Sequence, residues 1–179
     1  MTYIIVDFEA TCCDRGTFPR NAMEIIEIGA VALGGNGPVI EDEYQSFIKP
    51  VRNATLTKFC KQLTSISQEM VETARTFEEV IVEFSNWINS FDSPTFCSWG
   101  NYDKNQLRQD CIYHGIPFPF NEQHINIKQK FADNMELNKG VGLGKALNKV
   151  NMKFVGTAHR GIDDARNMAN ISNYIFLSD

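Results

Sequence analysis

Apolar positions first recur with a period of two. In Tyr3-Ile4-Ile5-Val6-Asp7-Phe8-Glu9-Ala10-Thr11 an extended backbone sends successive side chains to opposite faces, so Asp7 and Glu9 share one face and Val6 and Phe8 the other. A polar loop over 12–21 holds Arg15, Gly16 and Pro19, and 24–33 reads as a second strand. Gly34-Gly35-Asn36-Gly37-Pro38 is a dense turn signal, after which 39–49 resumes strand character. Three early strands joined this way predict an antiparallel meander. Glu27 falls inside the second strand. It either faces the same site as the two strand acids or has a structural role.

From Thr55 the spacing turns helical. Leu56, Phe59 and Cys60 fit a short helix, the hydroxyls of 64–67 suit capping, and 68–74 fits a second short helix. Thr76 with Glu79 forms a capping box ahead of the apolar stripe Val80, Ile81, Phe84, Trp87 and Ile88. Trp87 is expected in the core. The run 95–99 reads as a buried strand and is followed by a helix that ends near His114-Gly115, with glycine as its C-cap. A strand feeding a helix here predicts that the sheet turns parallel. A short strand at 124–127, a weakly helical stretch to Asn134, a helix over 142–150 and a final helix from about Ile162 to Phe176 complete the chain. The pattern predicts an α/β fold with a mixed sheet of five or six strands flanked by helices, forming one domain over 1–179.

Composition narrows this little. The 179 residues are 43% hydrophobic, enough for one sizeable core. Apolar runs are strand-sized, short of the roughly 18 residues of a membrane span, and no signal peptide opens the sequence. A soluble, intracellular, cytoplasmic protein is expected. Five cysteines without regular spacing describe reduced thiols rather than a disulfide or zinc framework. The net charge of −5 argues against a broad basic duplex-binding surface. A site holding a few terminal nucleotides on metal ions remains compatible, because the cations supply the positive charge.

Asp7 and Glu9 repel one another unless a cation lies between them, and hard carboxylate oxygens suit Mg²⁺ or Mn²⁺. Two further acids fall in first helical turns: Asp103 after the buried strand and Asp164 at the start of the last helix. First-turn acids are common for helix-dipole reasons alone, which covers Asp163, Asp110 and Asp92. Asp164 differs because His159 lies five residues upstream in a glycine-flanked loop. A histidine there is suited to taking a proton from an attacking water. His114 and His124 have no such neighbours and are expected to be structural.

At these residues the chain resembles the DnaQ-like 3′→5′ exonuclease superfamily, whose signature is four acids and a histidine (DEDDh) on a ribonuclease H-like fold. Within it, the chain is most similar to the Eri-type exoribonuclease branch. The matching blocks are Asp7 to Cys12, Ile25 to Val31, Phe59-Cys60 through Leu63-Thr64, Asp103, and His159-Arg160-Gly161-Ile162-Asp163-Asp164-Ala165. Ser65 stands where the branch often has glycine, and Tyr102 stands where the branch's histone-mRNA nuclease has tryptophan.

The resemblance implies that Asp7, Glu9 and Asp164 hold one divalent cation, Mg²⁺ or Mn²⁺. Asp7 bridges to a second cation with help from Asp103, the pair roughly 3.5 to 4 Å apart. His159 is the implied general base. Phe8, Ala10 and Thr11 are expected at the terminal ribose, Leu63, Thr64 and Ile66 beside the last base, and Tyr102 stacked on a base. The expected activity is hydrolysis of single-stranded RNA from its 3′ end to nucleoside 5′-monophosphates. A DNA-directed 3′→5′ exonuclease on the same fold, and a non-catalytic nucleic-acid-binding module, are the alternatives.

Overall fold

The computed structural model describes residues 1–14, 16–34, 39–121 and 123–176. Arg15 and the expected turn residues 35–38 lie outside them. β1 (Thr2–Ala10), β2 (Ile25–Gly34) and β3 (Ile40–Phe47) form the antiparallel meander. β4 (Pro94–Ser98) then pairs parallel to β1, and β5 (His124–Asn126) parallel to β4, in the order β3-β2-β1-β4-β5. The mixed five-stranded sheet is the one that the hydrophobic periods predict.

Alternation along β1 divides the interior in two. Ile4, Val6 and Phe8 join Ile28, Ala30 and Phe96 on one face, beneath α3 (Phe77–Asn89) and α4 (Tyr102–His114). Ile5, Val31 and Cys97 point the other way, towards α5 (Ile127–Asn134), α6 (Leu143–Lys149) and α7 (Gly161–Asn170). A smaller cluster around Ile26, Cys60, Ile66 and Val71 seats α1 (Lys58–Thr64) and α2 (Gln68–Glu72). Each fully buried aliphatic or aromatic side chain contributes about 1.5 to 3 kcal/mol. The period-two pattern of β1 therefore secures helices on both faces.

Several local expectations hold. Thr76 and Glu79 form the capping box, and Gly115 ends α4 at φ 66°. All five cysteines are free thiols. Among the described residues no helix is long and apolar enough to cross a membrane. Other expectations shift. α1 starts later than Leu56, because the Thr57 hydroxyl caps the amide of Cys60. Trp87 is only half-buried, since its indole N–H reaches out to Asp42 at 2.9 Å. The last helix stops at Asn170 and continues as a 3-10 turn over Ser172–Tyr174. Asn170, Ser172 and Asn173 compete with the helical backbone for hydrogen bonds, and the tighter turn buries both Ile171 and Ile175.

Candidate active site

β1 outruns β4. Its pairing with β4 ends at Ile5 opposite Cys97, so Asp7 and Glu9 lie on the free end of the strand, on the face that α7 covers. α7 approaches unusually closely. A Cβ on Gly29, the strand partner of Asp7, would lie 2.0 Å from the Gly161 carbonyl carbon. One on Gly161 would lie 2.8 Å from the Asp7 carbonyl oxygen. Only glycine at both positions lets the helix start rest on the strand backbone. One turn into α7, Asp164 then meets the strand acids, and carboxylate oxygens of Asp7, Glu9 and Asp164 all lie within 4.8 Å of one another. From the opposite face α4 supplies Asp103, which is 4% exposed and accepts a hydrogen bond from the Phe8 amide at 3.1 Å.

The four carboxylates are electrostatically unsatisfied together. Burial, reinforced by Asp103, Glu9 and Asp164, raises Asp7 well above the ordinary carboxylate range. Burial and then Asp164 push Glu9 up to about 9. Burial raises Asp103 to about 7 and Asp164 to about 6, although the nearby His159 and Arg160 backbone and the His159 imidazole partly offset this at Asp164. The Asp164 Oδ2 atom is buried and accepts no hydrogen bond. A cluster of hard oxygens that repel one another, one of them orphaned, fits a divalent cation of the Mg²⁺ or Mn²⁺ type.

His159 is exposed, in the turn just before α7, and its backbone sits at φ 62°. For a side chain with a Cβ this left-handed conformation costs about 1 to 2 kcal/mol. The neighbouring Arg160 is firmly anchored. Its guanidinium pairs with Glu27 (Nε to Oε2 3.0 Å, Nη2 to Oε1 3.2 Å). Glu27 stands directly opposite Glu9 across the two strands, is fully buried, and lies outside the cation-competent group. The sequence pattern places Glu27 in a strand without indicating a partner, and Arg160 appears in it only as part of the block that begins at His159. A lone carboxylate within an otherwise apolar strand requires a buried cation or several donors, which was the available signal.

The remaining site candidates divide by exposure. Phe8, Thr64 and Ile66 bury their side chains, and Thr64 spends its hydroxyl on the Cys60 carbonyl and the Ile66 amide. Ala10 and Thr11 are buried at the strand end, with the Thr11 hydroxyl accepting from the Glu24 amide. Phe8, Ala10 and Thr11 thus offer backbone rather than side chains. Leu63 and Tyr102 remain exposed, at 36% and 44%. Tyr102 lines a cavity of about 210 Å³ with Arg20, Met23, Asn105, Gln106 and Gln109.

The other acids and histidines have structural partners. Asp110 accepts from the Ile25 amide and Arg52, and Asp163 accepts from the Thr157 amide. His124 bonds Ser98, and burial lowers it to about 4. His114 pairs with Glu78 at 2.7 Å and stacks on Phe77.

Along nearly its whole length the chain is similar to known exonucleases. The exonuclease family model RNase T matches residues 4–172. The human 3′-5′ exoribonuclease 1 is 32% identical over 176 residues, covering 94% of this chain and 50% of that protein. The probable 3′-5′ exonuclease KapD of Bacillus subtilis is 32% identical over 167 residues, covering 90% of this chain and 78% of KapD. The chain therefore spans about half the length of its human relative and most of its bacterial one. Among solved structures, the nuclease domain of 3′hExo, a DEDDh family member bound to rAMP, superimposes with a TM-score of 0.88 at 31% identity, covering 96% of this chain and 89% of that one. A fold and an acid cluster of this kind, matched along nearly the whole sequence, make the chain a member of the exonuclease family.

Proposed function

We propose that this chain is a two-metal-ion 3′→5′ exoribonuclease acting on single-stranded RNA ends, with 1–179 as one catalytic domain. The observation that carries the reading is the convergence of Asp7, Glu9 and Asp164 oxygens within 4.8 Å of one another, together with a buried Asp164 Oδ2 that has no hydrogen-bond partner. Asp7, Glu9 and Asp164 would hold one cation, and Asp7 and Asp103 a second. Bound Mg²⁺ or Mn²⁺ would supply positive charge at the reacting phosphate and make the attacking water more acidic.

The chain's own residues do the rest. His159 takes the proton from the attacking water, as a solvent-accessible base in the turn that leads into Asp164. The Phe8 to Thr11 backbone faces the terminal ribose. Leu63 and Tyr102 offer apolar surface to the last bases, and base-aromatic stacking of this type contributes about 1 to 3 kcal/mol per base without demanding a particular one. A splayed single strand suits the site, since terminal nucleotides must leave a duplex to reach a cluster set at a strand end. Relatives and neighbours named as 3′-5′ exoribonucleases, and the rAMP bound by one of them, support RNA over DNA. Matched single-stranded RNA and DNA of one sequence separate the two: faster shortening of RNA is expected, and equal or faster shortening of DNA transfers the assignment to a DNA-directed enzyme.

A further inference from the structure

We propose that Glu27 is a positioning residue for the reaction: through Arg160 it sets the turn that presents His159, and in place of a capping side chain it receives the first free amide of α7. The inference rests on His159 being the proton acceptor, as read above.

Four donors converge on this fully buried carboxylate. Oε2 accepts from Arg160 Nε at 3.0 Å and from the Gly161 amide at 3.1 Å, and Oε1 accepts from Arg160 Nη2 at 3.2 Å and Gln45 Nε2 at 2.6 Å. With its lone pairs committed, Glu27 has no oxygen left for a cation, although it faces Glu9 across the strands. The bonds fall on consecutive residues of one loop. Arg160 is the N-cap residue of α7 and makes no capping bond with its own side chain. The next residue, Gly161, carries one of the helix's unpaired first-turn N–H groups. A carboxylate from β2 meets that group, and negative charge there is also favoured by the helix dipole.

The guanidinium is fixed from a second side, lying over the Phe47 ring at 5.1 Å. With the side chain of residue 160 and the amide of 161 both pinned, the preceding residue has little freedom. His159 is held at φ 62°, a conformation that persists only where its surroundings dictate it. The same segment leads straight into Asp164, whose amide donates to the Arg160 carbonyl at 2.9 Å. Glu27 therefore acts on the reaction through the geometry of the loop and touches no reacting atom.

The test is a double-mutant cycle of Glu27→Gln with His159→Ala, read by single-turnover cleavage of a short labelled RNA with Mg²⁺, together with amide hydrogen exchange of the metal-free protein. Glu27→Gln keeps the shape and removes the charge. In the wild-type background we expect the cleavage rate to fall about 10- to 100-fold, the usual effect of removing a partner that orients a working group, with the RNA concentration for half-saturation changed less than about twofold. In the His159→Ala background the same change should cost less than about twofold, because the group it positions is gone. Exchange at Gly161 should accelerate at least about tenfold while β1 and β2 amides keep their protection.

Equal losses in both backgrounds, or exchange that accelerates uniformly, would overturn the proposal while leaving His159 as the base. A His159→Ala protein as fast as wild type would overturn the base assignment itself. Arg160→Lys, which retains the charge and loses the two-point contact, carries the same cycle with the same criteria should Glu27→Gln fail to fold.

Discussion

Asp103 accepts its hydrogen bond from the amide of Phe8, the residue between Asp7 and Glu9. The geometry of the sheet explains the contact. β1 loses β4 as a partner after Ile5, and the carboxylate of α4 takes up an amide beyond that point. One bond thus ties the acid of α4 to the strand that carries Asp7 and Glu9. Asp103 has a structural role and a chemical one, which substitution separates. Asp103→Asn keeps an acceptor for Phe8 and should leave the melting temperature near wild type. Asp103→Ala leaves a buried amide unpaired and should cost about 1 to 3 kcal/mol in denaturant unfolding. Both should lose about 10²-fold or more in activity, since each removes a carboxylate from the cation site.

The metal-free chain should become less stable as pH rises. Glu9, Asp103 and Asp164, with folded values of about 9, 7 and 6, bind their protons more tightly folded than unfolded. Between the ordinary carboxylate value near 4 and those values the folded state holds more protons, so unfolding free energy falls across that window. Thermal melting without metal should decline from pH 5 to pH 9. Mg²⁺ or Mn²⁺ should raise the melting temperature strongly at pH 8 and little at pH 5, because ions compete with bound protons. Glu9→Gln should melt above wild type at pH 9 in EDTA; a metal-free melting curve that does not move with pH contradicts the electrostatic account.

The strand acids were legible from a period of two, and the rest of the site from helix first turns read beside a family resemblance. Asp7 and Glu9 follow from alternation alone. Asp103 is no different from Asp110 until the family resemblance is read, and Asp164 stands apart from Asp163 only through His159 five residues upstream, because first-turn acids serve capping and dipole roles throughout proteins. Glu27 and Arg160 lie 133 positions apart, and their pairing depends on how closely α7 rests on β2. The two glycines that permit this, Gly29 and Gly161, were visible as residues but not as a contact. The ends of α1 and α7 were set by local hydroxyl and amide competition with the backbone, which hydrophobic period does not register.

Gly29→Ala tests that close approach. Its new methyl group would overlap backbone atoms of Gly161 and Ile162, which cannot rotate away as a side chain would. We expect a loss of about 1 to 3 kcal/mol or more in denaturant unfolding. Activity should fall further than stability explains, because the helix start that carries Asp164 must shift away from Asp7. A variant with wild-type melting and activity would show that the contact is looser than described.

Tyr102 is half-exposed beside Asp103 and lines the cavity with Arg20 and Gln109. If its ring receives a base, Tyr102→Ala should raise KM for a short RNA about 5- to 150-fold, equivalent to the 1 to 3 kcal/mol of a stacked base, with kcat changed less. Tyr102→Phe, which keeps the ring, should stay within about twofold of wild type. Equal KM values for all three proteins contradict a stacking role.

Four acids that gather divalent cations should shorten RNA from its 3′ end. The most direct measurement follows 5′-labelled single-stranded RNA incubated with the purified protein and Mg²⁺ or Mn²⁺, beside EDTA and Asp7→Ala controls. The expected result is a ladder of products shortening stepwise from the 3′ end that is absent from both controls. Intact RNA under every metal condition, or cleavage that persists in EDTA or in Asp7→Ala, would contradict it.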